Sequence, residues 1–92
     1  MTNLNKIFKY YDVQSHNQRI VKELLTVHLP KTYTSEVIDL LDALGVSASS
    51  QTVRNVKSGT HKDLRIFNAI ITVAEKYQRL AKDLEDKLKT AV

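Results

Sequence analysis

Apolar residues along this chain recur every three or four positions, which is the period of an α-helix with one buried face. Near the start of the chain this spacing predicts a short amphipathic helix over residues 3–11. Its apolar face consists of Leu4, Ile7, Phe8 and Tyr11. Because only two glycines and one proline interrupt the 92 residues, we expect an all-α fold. The pattern predicts a small bundle of about five helices.

A second helix is predicted to begin at Ser15, where Gln18 three residues later completes the form of a capping box. It should end before Pro30, because the residue preceding a proline disfavours the helical conformation. Its apolar stripe consists of Ile20, Val21, Leu24, Leu25 and His28.

A third helix is predicted to be capped by Thr34 or Ser35, after a loop over residues 31–33. Gly45 should end it, since glycine readily adopts the left-handed conformation found at helix C-termini. Its predicted inner face consists of Val37, Ile38, Leu40, Leu41 and Leu44, and its outer face of Glu36, Asp39 and Asp42.

A short and polar helix is predicted over residues 50–58. The serine cluster before it offers several N-caps, and Gly59 should end it. At about 100° per residue, only Val53 and Val56 face inward. The opposite side consists of Gln51, Arg54, Asn55 and Ser58. Since isolated helices of this length are marginal in water, the helix must be held on a scaffold with its polar side outward.

The last helix is predicted over residues 62–90, with Thr60 and Asp63 as its capping residues. Its apolar residues alternate at three and four positions, as in a heptad seam. They are Phe67, Ile70, Ala74, Tyr77, Ala81, Leu84 and Leu88. The first half should pack on the bundle. We expect the second half either to pair with a partner chain or to fold back on residues 3–11, because so small a core cannot cover it.

The length and composition of the chain limit the class of protein. A chain of 92 residues is expected to form one domain, over 1–92, with little room for a deep catalytic cleft. The lack of cysteine excludes disulfides and thiolate metal sites and fits a reducing cytosol. No signal peptide is recognisable, and no apolar run approaches the ~18 residues of a membrane span. The expected location is therefore the cytoplasm.

Positive charge is concentrated in the second half of the chain. Residues 36–45 carry three acidic residues and no basic one. Residues 46–82 carry seven basic against two acidic residues, a net charge of +5, so the excess begins with the short polar helix. Such asymmetry indicates a polyanionic partner, although a solvated basic surface would give the same composition.

The order of apolar helix, glycine turn, short polar helix, glycine and basic helix resembles the helix-turn-helix of Cro/phage-repressor-type DNA-binding domains. The resemblance covers residues 19–77 and is carried by residues 37–45, 52–59 and 66–74. The turn before Thr52 is longer than the family's usual pattern, and Leu41 stands where alanine is common. Both departures alter the expected angle between the two helices.

The resemblance implies a set of site residues. Base contacts are implied for Ser50, Gln51 and Asn55. Glutamine and asparagine can each form two hydrogen bonds with adenine, worth about 1–3 kcal/mol of discrimination. Contacts with the DNA backbone are expected for Thr34, Ser35, Thr52, Arg54, Lys57, Thr60, His61, Lys62 and Arg65.

Nothing in the residue pattern favours an enzyme. The three histidines are scattered, and no pair has the helical spacing, with a glutamate, of a zinc site. No glycine pattern of a nucleophile elbow surrounds any serine, and two glycines are too few for a phosphate-cradling loop. We therefore predict no catalytic residue, no metal, no cofactor and no small-molecule substrate.

The expected function is sequence-preferring binding of double-stranded DNA, in a repressor-like transcriptional regulator of a bacterium or its phage. The helix at residues 50–58 would read the major groove. A homodimer through the C-terminal seam would set half-sites roughly 34 Å apart. The alternative is a non-catalytic protein-interaction module, an antirepressor or an assembly adaptor. It would dock through the C-terminal helix or through Phe8, Tyr10 and Tyr11.

Overall fold

Residues 2–90, described here by a computed structural model, form five α-helices and contain no strand. The helices are α1 (Leu4–Tyr10), α2 (Ser15–Glu23), α3 (Tyr33–Ala43), α4 (Ser50–Ser58) and α5 (Leu64–Thr90). The all-α class, the five helices and the long C-terminal helix are thereby confirmed. Met1, Ala91 and Val92, which the predicted domain 1–92 includes, lie outside the described residues.

The beginning of α2 differs from the prediction. Ser15 is the first residue of the helix and not its cap, and the predicted capping box is absent. The side-chain amide of Gln18 donates instead to the carbonyl of Val13, at 3.3 Å, and so ties the helix to the turn before it.

The end of this segment also departs from a regular α-helix. α2 continues into one turn of π-helix, Leu24–His28, in which the amide of Leu29 donates to the carbonyl of Leu24 at 3.0 Å. The consecutive Leu24 and Leu25 of this turn are both buried. Ile20, predicted to lie on the apolar stripe, is 54% exposed. Such π turns are rare and usually occur as single turns.

The start of α3 also differs from the prediction, because the helix begins at Tyr33. Thr34 and Ser35 therefore lie in its first turn and do not cap it. The flanking residue is Thr32, whose side chain makes no capping bond. The hydroxyl of Ser35 donates back to the carbonyl of Thr32 at 3.1 Å.

α3 ends at Ala43, and the predicted stop, Gly45, follows its C-cap residue with φ of +78°. The amide of Gly45 donates to the carbonyl of Asp42, and the amide of Val46 to that of Leu41. These two bonds form a Schellman motif, which satisfies the last carbonyls of a helix. Leu44, predicted to lie inside, is 69% exposed.

The core combines residues from α1, the π turn, α3, α4 and α5. Its most completely buried side chains are Ile7, Val37, Leu41, Val53, Val56 and Ile70. Tyr11, just after α1, stacks face to face on Phe67, with ring centroids 4.1 Å apart and planes 8° apart. The hydroxyl of Tyr11 also accepts a hydrogen bond from the amide of Asp63 at 3.0 Å. These contacts fix the end of α1 against the start of α5.

Asp63 caps α5, as predicted. Its carboxylate accepts hydrogen bonds from the amides of Arg65 (3.0 Å) and Ile66 (3.2 Å). Thr60, the other predicted capping residue, instead exchanges a hydrogen bond with the hydroxyl of Ser58.

α5 leaves the bundle after Tyr77, and every residue of 78–90 is exposed. The predicted alternative that this half folds back on residues 3–11 is therefore wrong. Although α5 is long, no helix within residues 2–90 is apolar enough over a sufficient length to cross a membrane.

Candidate nucleic-acid interface

α4 is attached to the core by two side chains, Val53 and Val56, both fully buried. Ser49 caps its N-terminus, since the Ser49 hydroxyl accepts from the amide of Thr52 at 3.1 Å. The hydroxyls of Ser49 and Thr52 also share a hydrogen bond of 2.9 Å. Thr52, predicted to contact the DNA backbone, is half-buried, and both its amide and its hydroxyl bond to Ser49 in the cap.

The outward side of α4 carries a chain of side-chain hydrogen bonds. The amide nitrogen of Gln51 donates to the side-chain oxygen of Asn55 at 3.0 Å. The guanidinium of Arg54 donates to the amide oxygen of Gln51 at 3.2 Å. Ser50, Gln51 and Arg54 are exposed, whereas Asn55, predicted to be exposed, is half-buried. Gln51 thus links the side chains of Arg54 and Asn55.

The C-terminus of α4 lies against the N-terminal segment of the chain. Gly59 is buried and has φ of +89°, in the left-handed region. The amide of Asn3 donates to the carbonyl of Ser58 at 2.7 Å. The carbonyl of Asn55 accepts from the amides of Thr60 and His61, at 2.9 and 3.2 Å. The loop that carries the next predicted site residues is thus fixed to α4 by backbone bonds.

The first turn of α3 lies beside the last turn of α4. The ammonium of Lys57 is 6.0 Å from the centroid of the Tyr33 ring. The predicted backbone-contact residues Thr34 and Ser35 directly follow Tyr33 in the first turn of α3. Burial raises the pKa of the Tyr33 hydroxyl, and the positive charge of Arg54 partly opposes this effect. At neutral pH the hydroxyl is therefore protonated and can donate a hydrogen bond.

A groove of about 560 Å³ runs along this junction. The apolar part of its lining includes Leu4, Leu25 and Leu29. Lys31 and Lys57 both line the groove and give it a positive charge. The sequence did not single out Lys31 and Tyr33, because both fell in a predicted loop. The only sequence feature that could have indicated their role is the position of the aromatic Tyr33, between the basic Lys31 and the start of α3.

The remaining predicted contact residues follow α4 along the chain. His61, Lys62 and Arg65 are exposed, and the guanidinium of Arg65 lies 3.8 Å from the Asp63 carboxylate. Within residues 2–90 no ion pair involves Arg54, Lys57 or Lys62. The positive charge of these three side chains is therefore not neutralised by another side chain of that part of the chain.

The predicted residues lie on α4, on the first turn of α3, which contacts α4 through Tyr33 and Lys57, and on the segment 60–65, which is bonded to α4. The candidate surface is made of these three parts. We call this surface the α4 face. Over residues 2–90, no group of His, Asp or Glu side chains has the arrangement of a metal site. Comparison of the chain with protein-family models, curated proteins and solved structures finds no match.

Proposed function

We propose that the protein binds double-stranded DNA with a preference for sequence, by placing α4 in the major groove. The observation that supports this most is the mounting of α4. Two buried valines, Val53 and Val56, hold the helix on the core and leave Ser50, Gln51 and Arg54 exposed, with Asn55 half-buried beside them. The major groove admits one α-helix, and its base edges are read by side chains of this polar kind.

The charge around α4 supports a nucleic-acid partner over a neutral one. Arg54, Lys57 and Lys62 have no acidic partner within residues 2–90. Phosphate contacts by such residues release counterions and account for much of the affinity of DNA-binding proteins. Lys57, Thr34 and Ser35 would contact the phosphates on one side of α4, and Lys62 and Arg65 those on the other.

Base preference would come from the amide pair Gln51 and Asn55. Because Gln51 is bonded to both Asn55 and Arg54, its side chain is held before DNA arrives. An oriented amide loses less conformational entropy on binding than a free one. Ser50, exposed at the start of α4, would contact a further base or sugar.

The role in the cell follows from the resemblance to Cro/phage-repressor-type domains. We infer a transcriptional regulator of a bacterium or its phage, acting on DNA in the cytoplasm. The proposal includes no catalytic step, metal or cofactor.

The first experiment separates base contacts from phosphate contacts. Asn55→Ala should relax base preference at one position of a selected DNA sequence, by about 1–3 kcal/mol, and leave the fold intact. Asn68→Ala, at an exposed position on α5, is the matched control and should change nothing. The measurement is affinity for a panel of single-base variants of the selected duplex. An equal loss of affinity on every sequence would exclude base reading by Asn55.

The second experiment tests the phosphate contacts. Lys62→Ala should weaken binding by a similar factor on all sequences and reduce the slope of log affinity against log salt by about one. Lys82→Ala, an equal change of charge on the exposed end of α5, is the control. If the two variants have the same slope, Lys62 makes no specific phosphate contact.

The exposed leucines of α5 favour a second candidate, a protein-interaction module in which α4 is only a connector. Retention on immobilised duplex DNA at about 0.15 M salt distinguishes the two functions. A DNA-binding protein should be retained, whereas an antirepressor or adaptor should pass through the column.

A further inference from the structure

We propose that two copies of this chain associate through antiparallel pairing of their α5 helices, over residues 77–88. We call the apolar side of this segment the α5 stripe; it consists of Tyr77, Leu80, Ala81, Leu84 and Leu88. This association needs no DNA, and it stands or falls independently of the proposed function.

Beyond Tyr77, which packs on the core and donates to Glu36, the α5 stripe contacts no other element within residues 2–90. Leu80, Leu84 and Leu88 are 51%, 58% and 61% exposed. All residues of 78–90 are solvent-exposed and extend from the bundle as a single helix. A segment of this length is marginal as an isolated helix in water. A second helix packed on the leucines would remove them from water and stabilise the segment.

The charges around the α5 stripe favour a protein partner over a membrane or a nucleic acid. Residues 78–90 carry four basic and three acidic residues, of both signs along the helix. Helices that bind anionic membrane surfaces have a strongly basic polar face, and nucleic-acid-binding helices are also strongly basic. This segment has neither property.

The position of the bundle decides the orientation of the pair. Phe67, Ile70 and Ala74 lie on the same side of α5 as Leu84, and the protein's own bundle covers them. In a parallel pair the two bundles would lie at the same level between the helices and collide. In an antiparallel pair each bundle lies beyond the end of the other helix, so the two copies fit together.

The heptad spacing then gives the register. Pairing Tyr77 with Leu88 of the second copy places Ala81 opposite Leu84, so that small and large residues alternate along the contact. Among the flanking residues of antiparallel helices, Glu85 would face Gln78 and Lys87 would lie along Leu80 of the second copy. No like charges oppose each other in this register, and the alternation of small and large residues makes the stripe self-complementary in shape.

The extent of the stripe predicts a reversible dimer. A standard protein interface buries ~800 Å² on each partner, and three leucines with one alanine and part of a tyrosine supply less. We therefore expect a monomer–dimer equilibrium that shifts with concentration. Simultaneous binding of two DNA half-sites would favour the dimer.

Sedimentation equilibrium of the full chain over a dilution series tests the association without DNA. The apparent mass should rise from that of the monomer toward twice that value. A double variant with both Leu84→Lys and Leu88→Lys should remain monomeric at every concentration. Its circular dichroism spectrum should show that the helical bundle is still folded. Asp86→Lys, which adds positive charge on the opposite side of α5, should still dimerise. A wild-type chain that stays monomeric, or a double variant that dimerises like wild type, would overturn the proposal.

The orientation is tested by electron paramagnetic resonance. The chain has no cysteine, so Thr90→Cys provides a single site for a spin label at an exposed position. Antiparallel pairing in the proposed register offsets the two labels by ~22 Å along the helix axis. A parallel pair would bring the labels to about one interhelical distance, ~10 Å. The short distance would contradict the antiparallel arrangement, and the long one would support it.

DNA binding by the monomeric double variant to a single half-site distinguishes loss of dimerisation from failure of the DNA-binding proposal.

Discussion

At the scale of single residues, the two glycines of this chain have different roles. Both have positive φ, which only glycine adopts without strain. A Cβ at Gly45 would meet no atom within 4 Å. A Cβ at Gly59 would lie 2.9 Å from the carbonyl oxygen of Asn3 and 3.3 Å from its Cβ. Gly45 is therefore required for conformation alone, and Gly59 also for a close approach of two backbone segments.

This difference gives a testable pair of substitutions. Gly45→Ala should lower the free energy of unfolding by about 1 kcal/mol, the strain of a left-handed alanine. Gly59→Ala should lower it by roughly 2–3 kcal/mol, because the N-terminal segment must also move. Urea unfolding of both variants measures the two values. Equal losses of unfolding free energy in the two variants would show that Asn3 can move without destabilising the protein.

Residue patterns in the sequence predicted both glycines as helix ends, because left-handed C-termini depend on local chemistry. They failed for Leu44 and for the capping box at Ser15. The exposure of Leu44 depends on the path of the chain after Gly45. The carbonyl of Val13 competes for the side chain of Gln18, and no local rule anticipates such a competitor.

At the scale of helices, α4 is the element on which the candidate site depends. It has nine residues, and its stability comes from the cap at Ser49, the two buried valines and the exit at Gly59. The position, length and two buried residues of this helix could be predicted from the sequence, because they follow from period and capping chemistry. The half-burial of Asn55 and the contact of Tyr33 with Lys57 could not, since both depend on the tertiary packing around α4.

Neighbouring serines at the start of α4 separate stability from binding. Ser49→Ala should destabilise the protein by about 1 kcal/mol, because the amide of Thr52 loses its acceptor. Ser50→Ala should leave the stability within ~0.5 kcal/mol of wild type, since Ser50 is exposed inside the helix. Thermal unfolding and DNA affinity, measured on both variants, check this assignment. A larger loss of stability at Ser50 than at Ser49 would contradict it.

The π turn after α2 shows the limit of periodicity at this scale. The repeating pattern is equally compatible with a regular helix through residue 29. The bond from the Leu29 amide to the Leu24 carbonyl widens the turn, and no local residue pattern distinguishes this bond from that of a regular helix.

At the scale of the whole molecule, the fold is a bundle from which a helix projects. α3 and α5 are joined at the edge of the bundle by Glu36, which accepts hydrogen bonds from the hydroxyl of Tyr77 and from the ammonium of Lys76, the latter at 2.9 Å. The sequence predicted that Glu36 lies on the outer face of α3, but it did not predict its contacts with Tyr77 and Lys76. They lie about forty positions away along the chain, beyond the reach of a local pattern.

The Glu36 contacts predict a loss of stability in acid. The hydrogen bonds from Tyr77 and Lys76 hold the pKa of the Glu36 carboxyl below its ordinary value of 4.5. Below that value the unfolded chain binds more protons than the folded chain, so stability falls as pH drops toward the native pKa. The contribution is fully present above pH 4.5. Urea midpoints between about pH 6 and 3 measure it. Tyr77→Phe should reduce the slope, and an unchanged slope would assign the acid sensitivity to other carboxyls.

The seating of the first helix has a consequence for motion in the protein. α1 is anchored by Ile7, by Tyr11 on Phe67 and by the bond from Asn3 to Ser58. Transient detachment of this segment would uncover Gly59 and release the last turn of α4, although no residue of α1 belongs to the α4 face. The frequency of this local opening would then determine how mobile the polar side of α4 is. A ligand that reduces the mobility of α4 should therefore slow hydrogen exchange at the amide of Asn3.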